Sequence, residues 1–182
     1  MKTLRFLVAA AGVAGLLLTT GCGDGGGLGE RKPKADAIAV MVPTQGNETA
    51  GVVEFVNTDA GLRVIATLAK LPPGEHGFHI HQYGDCSSGD AGSAGGHFNP
   101  GNTPHGAPDA AERHAGDLGN IVADGQGHAR VDQVYSGIAL EGDTSIIGRS
   151  VIVHAGADDF TTQPTGAAGK RLACGVVGIA GR

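Results

Sequence analysis

His79 and His81 stand two residues apart in Gly77-Phe78-His79-Ile80-His81. In an extended strand, residues i and i+2 leave the same face, so both imidazoles can turn toward one ion while Phe78 and Ile80 turn the other way into a core. An exposed strand face can carry such a pair without any metal, so the downstream residues decide the reading. They are His97 in Gly95-Gly96-His97-Phe98-Asn99-Pro100, His105 in Pro104-His105-Gly106, His114 and Asp117 in Arg113-His114-Ala115-Gly116-Asp117, and His154 closing Ser150-Val151-Ile152-Val153-His154. Imidazole suits copper and zinc, and one carboxylate completing three imidazoles suits zinc. Two four-coordinate sites need eight donor atoms. These seven side chains supply eight only if one imidazole binds through both ring nitrogens.

The elements that must position these donors read as strands. The chain has 182 residues, of which 33 are Gly and none is Trp, and its apolar positions come in short runs broken by Gly, Pro and Asp. That favours an all-β fold with a core of Val, Ile, Leu and Ala. Strand patterns are predicted at 37–42, 51–56, 63–68, 77–83, 120–123, 128–134, 138–140, 150–154 and 173–179, about eight strands in an antiparallel sandwich or flattened barrel. Residues 84–116 have almost no periodic signal. A structureless stretch of that length is usually functional or disordered. This one holds three of the histidines and Cys86, so a metal and a disulfide could fix it. His76, beside a Pro-Pro-Gly turn, and His128, after Asp124-Gly125-Gln126-Gly127, are expected to face solvent.

The start of the chain reads as a targeting segment. Lys2 and Arg5 precede an unbroken apolar-or-Gly run from Phe6 to Leu18, short for a membrane span but matching a signal-peptide core. It ends in Leu18-Thr19-Thr20-Gly21-Cys22, which resembles a bacterial lipobox and marks Cys22 for lipidation; ordinary cleavage nearby is the alternative. The expected organisation is a signal peptide at 1–21, a lipidated Cys22 with a flexible tether at 22–36, and one domain at 37–182. Export leaves Cys86 and Cys174 as an even pair in an oxidising compartment, hence a disulfide rather than two thiols. Losing Lys2 and Arg5 with the leader takes the formal charge from −5 to −7. That balance argues against a nucleic-acid partner, and an anionic substrate would need a locally positive site.

Taken together, the motifs around His79, His97, His114 and His154, with Arg171-Leu172-Ala173-Cys174-Gly175, resemble the copper/zinc superoxide dismutase family from about Ala37 to Ala180, in order and at family-like spacing. The resemblance implies a Greek-key β-sandwich or flattened barrel, with copper and zinc ions as cofactors. It implies copper on His79, His81, His97 and His154, and zinc on His97, His105, His114 and Asp117, with His97 bridging. Asp158 would accept hydrogen bonds from a ligand histidine on each side. Arg171 would draw and orient the superoxide anion, and Thr165 would line the channel. Cys86 lies nearer His81 than in eukaryotic relatives, as in exported bacterial members. The implied reaction is dismutation of superoxide to dioxygen and hydrogen peroxide, in a periplasmic or cell-envelope protein tethered to a membrane. Monomer and homodimer both stay open. Residues 159–170 are shorter than the steering loop of eukaryotic enzymes and lack its charge-rich run, with Lys170 a partial substitute. An exported copper-buffering or copper-delivery domain is the alternative, but such a relative would be expected to lose a copper ligand or the arginine.

Overall fold

The computed structural model describes residues 34–181. The signal peptide, Cys22 and most of the expected tether lie outside the described residues. Eight strands are formed: β1 (Ala37–Pro43), β2 (Ala50–Thr58), β3 (Gly61–Ala69), β4 (Gly74–His81), β5 (Asp117–Ala123), β6 (Ala129–Tyr135), β7 (Ser150–His154) and β8 (Arg171–Ile179). They close into an antiparallel barrel in the order β1-β2-β3-β6-β5-β4-β7-β8. The connections from β3 to β4 and from β6 to β7 cross over intervening strands, which makes it a Greek key. The run at 138–140 is not a strand. Ile138 is buried, but the segment makes only an isolated bridge between Ala139 and Ser145. Ile138 enters the barrel core and Leu140 packs against it, so the apolar run is buried as a loop.

The period-two pattern of the strands becomes two-sided burial. On β1, Ala37, Ala39 and Met41 point inward while Val40 and Val42 are exposed. Strands β4 and β7 behave differently, because both of their faces are covered at the site. Phe78, Ile80, Val151 and Val153 enter the barrel core. Ile152 faces the other way and packs with Ala91, Ala94, Cys174 and Cys86. The outer wall of β4, β7 and β8 is therefore roofed by the long loop between β4 and β5, and His79, His81 and His154 lie under that roof.

Two devices hold the roof. The Cys86–Cys174 disulfide joins it to β8 across a Cα–Cα distance of 5.8 Å and a sequence separation of 88. Closing a loop of that length stabilises by about 4–5 kcal/mol on the chain-entropy model, an upper figure. Backbone hydrogen bonds then stitch the loop to the end of β4: Phe98 N–H to Ile80 O at 2.8 Å and Ile80 N–H to Gly116 O at 2.9 Å. Gly116 is required at this crossing, since a Cβ there would overlap the Ile80 carbonyl.

Candidate metal centre

His79 and His81 share the outer face of β4 as the strand period requires, and both are essentially inaccessible to solvent, at 0% and 1% exposure. His154 ends β7 beside them, where the pairing register with β8 shifts between Val153 and His154. His97 is brought in by the roof and forms a bridge to His81. One donor atom from each of His79, His81, His97 and His154 lies within 4.8 Å of the others. A second group, His97, His105, His114 and Asp117, meets the same condition. His97 belongs to both.

The hydrogen-bond pattern tests whether ions fit here. His81 Nδ1 donates to Gly95 O at 2.9 Å and His154 Nδ1 donates to Gly169 O at 3.1 Å. Both Nε2 atoms then carry lone pairs, yet they face each other at 3.3 Å. His79 Nε2 donates to Asp158 Oδ2 at 2.8 Å, leaving its Nδ1 buried without a partner. Around Asp117, the Nδ1 atoms of His97, His105 and His114 stand 2.7, 3.0 and 3.2 Å from the carboxylate oxygens. His105 gives its proton from Nε2 to Asp158 Oδ1 at 2.9 Å, so its Nδ1 aims a lone pair at an anionic oxygen. His105 Nδ1 and His114 Nδ1 make no hydrogen bond despite that closeness. Buried lone pairs converging in this way cost several kcal/mol without a cation between them. The donor types, four imidazoles in one group and three imidazoles with a carboxylate in the other, suit copper and zinc respectively.

Charge states agree with ligand duty. Burial pushes His97 down to about 4 and His154 to about 3, against the opposing effect of the hydrogen bonds they donate to Asp117 and Gly169 respectively. Burial and the neighbouring His97 and His154 likewise take His81 well below its ordinary value. All three are therefore neutral at pH 7, as coordinating imidazoles must be. Burial raises the Asp117 carboxyl, but the His97 ring and the His114 and Gly106 backbone amides, all donating to it, outweigh burial and hold the group strongly ionised. Asp158 follows the same logic, with burial opposed by His79, the Phe160 amide and His105.

Asp158 is no surface acid: it is 3% exposed and spans the two groups, with one oxygen on His79 and the other on His105. Two residues that sequence reasoning did not single out hold it there. Asn120 accepts the Asp158 N–H at 2.7 Å and donates to its carbonyl at 2.9 Å. Gly166, at φ +66°, passes so close that a Cβ would overlap both Asp158 Oδ1 and His105 Nε2. Asn120 lies three residues after Asp117 on β5, and so on the opposite strand face; Gly166 carried no readable signal.

Arg171, the first residue of β8, is half-buried. Its Nη2 donates to Gly95 O at 2.6 Å and its Nη1 to Ala91 O, both in the roof. Gly95 O also takes the His81 proton, so one carbonyl orients an imidazole and the guanidinium. Lys170 is exposed beside it, whereas Thr165 is half-buried and does not line the cavity that Arg171 borders. His128 is on the surface, with a side chain 69% exposed. His76 corrects the expectation of a solvent-facing residue, being 2% exposed. Its Nδ1 lies 2.8 Å from His154 O and its Nε2 2.7 Å from Pro72 O. It belongs to neither donor group and instead ties the turn before β4 to the backbone of His154.

The profile of one family, copper/zinc superoxide dismutase (SODC), matches residues 49–177. Superoxide dismutase [Cu-Zn] 3 of Arabidopsis thaliana is 42% identical over 154 residues, 81% of this chain and 93% of its own length. The extracellular superoxide dismutase [Cu-Zn] of Brugia pahangi is 45% identical over 154 residues, 80% of this chain and 76% of its own. Among solved structures, a crystal structure of the clock protein EA4 superimposes with a TM-score of 0.73 at 42% identity, covering 81% of this chain and 97% of that one.

Proposed function

This chain belongs to the copper/zinc superoxide dismutase family, and from that membership and its two linked donor groups we infer that it dismutates superoxide to dioxygen and hydrogen peroxide. The observation that carries the inference is the pair of buried groups sharing His97, whose lone pairs converge on one another. We assign copper to His79, His81, His97 and His154, and zinc to His97, His105, His114 and Asp117. Held there, copper would supply the one-electron couple that dismutation needs, and zinc would supply fixed positive charge among the loop donors.

The chain's own residues do the rest. Asp158 fixes the tautomers of His79 and His105 together, so each presents Nδ1 inward. Arg171, braced by two carbonyls, offers a positive group to an anion in a chain that is acidic overall. His97 Nε2 has no hydrogen-bond partner in the protein and is the atom we assign to hold a proton for the peroxide product. The shared-ligand arrangement also favours the enzyme over a copper-delivery domain, since a delivery domain has no use for the second ion or for a tethered Arg171.

Arg171→Lys retains charge and should keep most of the activity. Arg171→Ile should lose on the order of tenfold at low salt, at unchanged copper and zinc content. Added salt should slow the wild type, and slow the Ile variant less or even speed it, because screening over about 8–10 Å removes mainly attraction in the first and mainly repulsion in the second. Identical salt slopes would contradict the role given to Arg171.

The same reading exports the protein as a bacterial-type lipoprotein, periplasmic or on the cell envelope, tethered through Cys22. The Cys86–Cys174 disulfide and a relative described as extracellular support export, and the lipobox-like Leu18–Cys22 supports the tether. An intact mass of the membrane-fraction protein should show an acylated Cys22; a soluble chain with an unmodified Cys22 contradicts the tether.

A further inference from the structure

The cavity beside Arg171, about 520 Å³, is bordered by three chain segments. The β1–β2 turn contributes Thr44, Gln45 and Asn47, which are neutral, and the start of β8 contributes the cations Lys170 and Arg171. The roof contributes Asp90. Three of the cavity's lining residues are thus charged, and one of them has the sign of the substrate.

Asp90 is held in place rather than swinging free. Its Oδ1 accepts the Gly92 N–H at 2.8 Å. The next residue, Ala91, gives its carbonyl to Arg171 Nη1, so carboxylate and guanidinium are fixed on one short stretch of backbone. The two charges act on each other: Asp90 offsets the effect of burial on Arg171, and Arg171 adds to the amide and hydroxyl hydrogen bonds that keep Asp90 ionised.

We propose that Asp90 sets the valence selectivity of the site, weakening capture of multivalent anions such as phosphate more than capture of the monovalent superoxide. The inference rests on the reading of Arg171 as the group that receives the substrate. A fixed negative charge raises the energy of an approaching anion in proportion to that anion's charge. The factor it imposes on a dianion is therefore the square of the factor it imposes on a monoanion. The cation pair alone would favour phosphate over superoxide, and Asp90 reduces that advantage at the cost of some rate.

Asp90→Asn tests this in the metal-loaded full-length domain, because Asn keeps the acceptor for the Gly92 amide and removes only the charge; Asp90→Ser is the second variant, retaining an oxygen there. Two quantities are read against ionic strength. One is the dismutation rate. The other is the phosphate dissociation constant, followed by the Arg171 guanidinium resonances with copper in its reduced, diamagnetic state. At low salt the rate should rise about twofold and phosphate affinity about fourfold, both gains fading as salt approaches physiological strength. Unchanged phosphate affinity, or equal factors for the two anions, overturns the proposal. A wild type that binds phosphate at Arg171 but does not dismutate superoxide would instead overturn the function assigned above, leaving the valence test standing.

Discussion

His79, His81 and His154 stand on strands whose registers the barrel fixes, whereas His97, His105 and His114 come from a loop with no regular strand pairing. The two regions solve one problem with different materials. On β4, the two-residue period and the pairing with β7 set the ring positions, and the Gly95 and Gly169 carbonyls need only select a tautomer. In the loop, position must be imposed from outside. Asp117, the first residue of β5, is the anchor: it gathers three histidines and takes the backbone N–H groups of Gly106 and His114 at 3.1 and 2.9 Å. The strand-built group is preorganised by the fold, while the loop-built group depends on a carboxylate, a disulfide and an ion that constrain the same segment.

The sharpest way to separate the two regions is to remove the anchor. Asp117→Ala should lower zinc affinity by at least about 100-fold, beyond what losing an outer hydrogen-bond partner costs, and change copper affinity by less than about tenfold. Chelator competition for each metal reads both numbers. Equal losses would mean that the strand-built group relies on the loop as much as the loop relies on itself.

A smaller effect should follow from cutting the disulfide. Cys86→Ser with Cys174→Ser should destabilise the metal-free protein by up to about 4–5 kcal/mol and the metal-loaded protein by distinctly less. Two restraints on one loop do not add fully. Thermal or denaturant unfolding of the four species gives the coupling, and equal losses with and without metal would break the claim that ion and disulfide hold the same segment.

The strand-built region was the more legible of the two. Alternation placed His79 and His81 on one face, and the end of an apolar run placed His154. The loop histidines were recognisable as donors by motif, but their geometry depends on contacts no local pattern encodes, such as Asp158 reaching His105 across a sequence separation of 53. His76 misled for the same reason. Its turn-like neighbours suggest exposure, yet its ring is buried by a carbonyl 78 residues away. The run at 138–140 misled in the opposite sense, because an apolar triplet carries strand character even where it packs against the core from a loop. Gly166 was silent, since its role is to make room for Asp158 and only the assembled loop shows what it makes room for.

One imidazole, that of His97, links the two regions. His97 is the only residue common to the two donor groups among the described residues, with Nδ1 at 2.7 Å from Asp117 Oδ1 and a buried Nε2 that no protein atom satisfies. The direct measurement is the copper spectrum and the zinc content of His97→Ala, prepared beside the wild type at matched metal supply. Loss of a shared ligand should shift the copper spectrum and deplete zinc together, with dismutation falling accordingly. A variant with an altered copper spectrum and full, tightly held zinc, or with depleted zinc and an unaltered copper spectrum, would contradict a shared ligand.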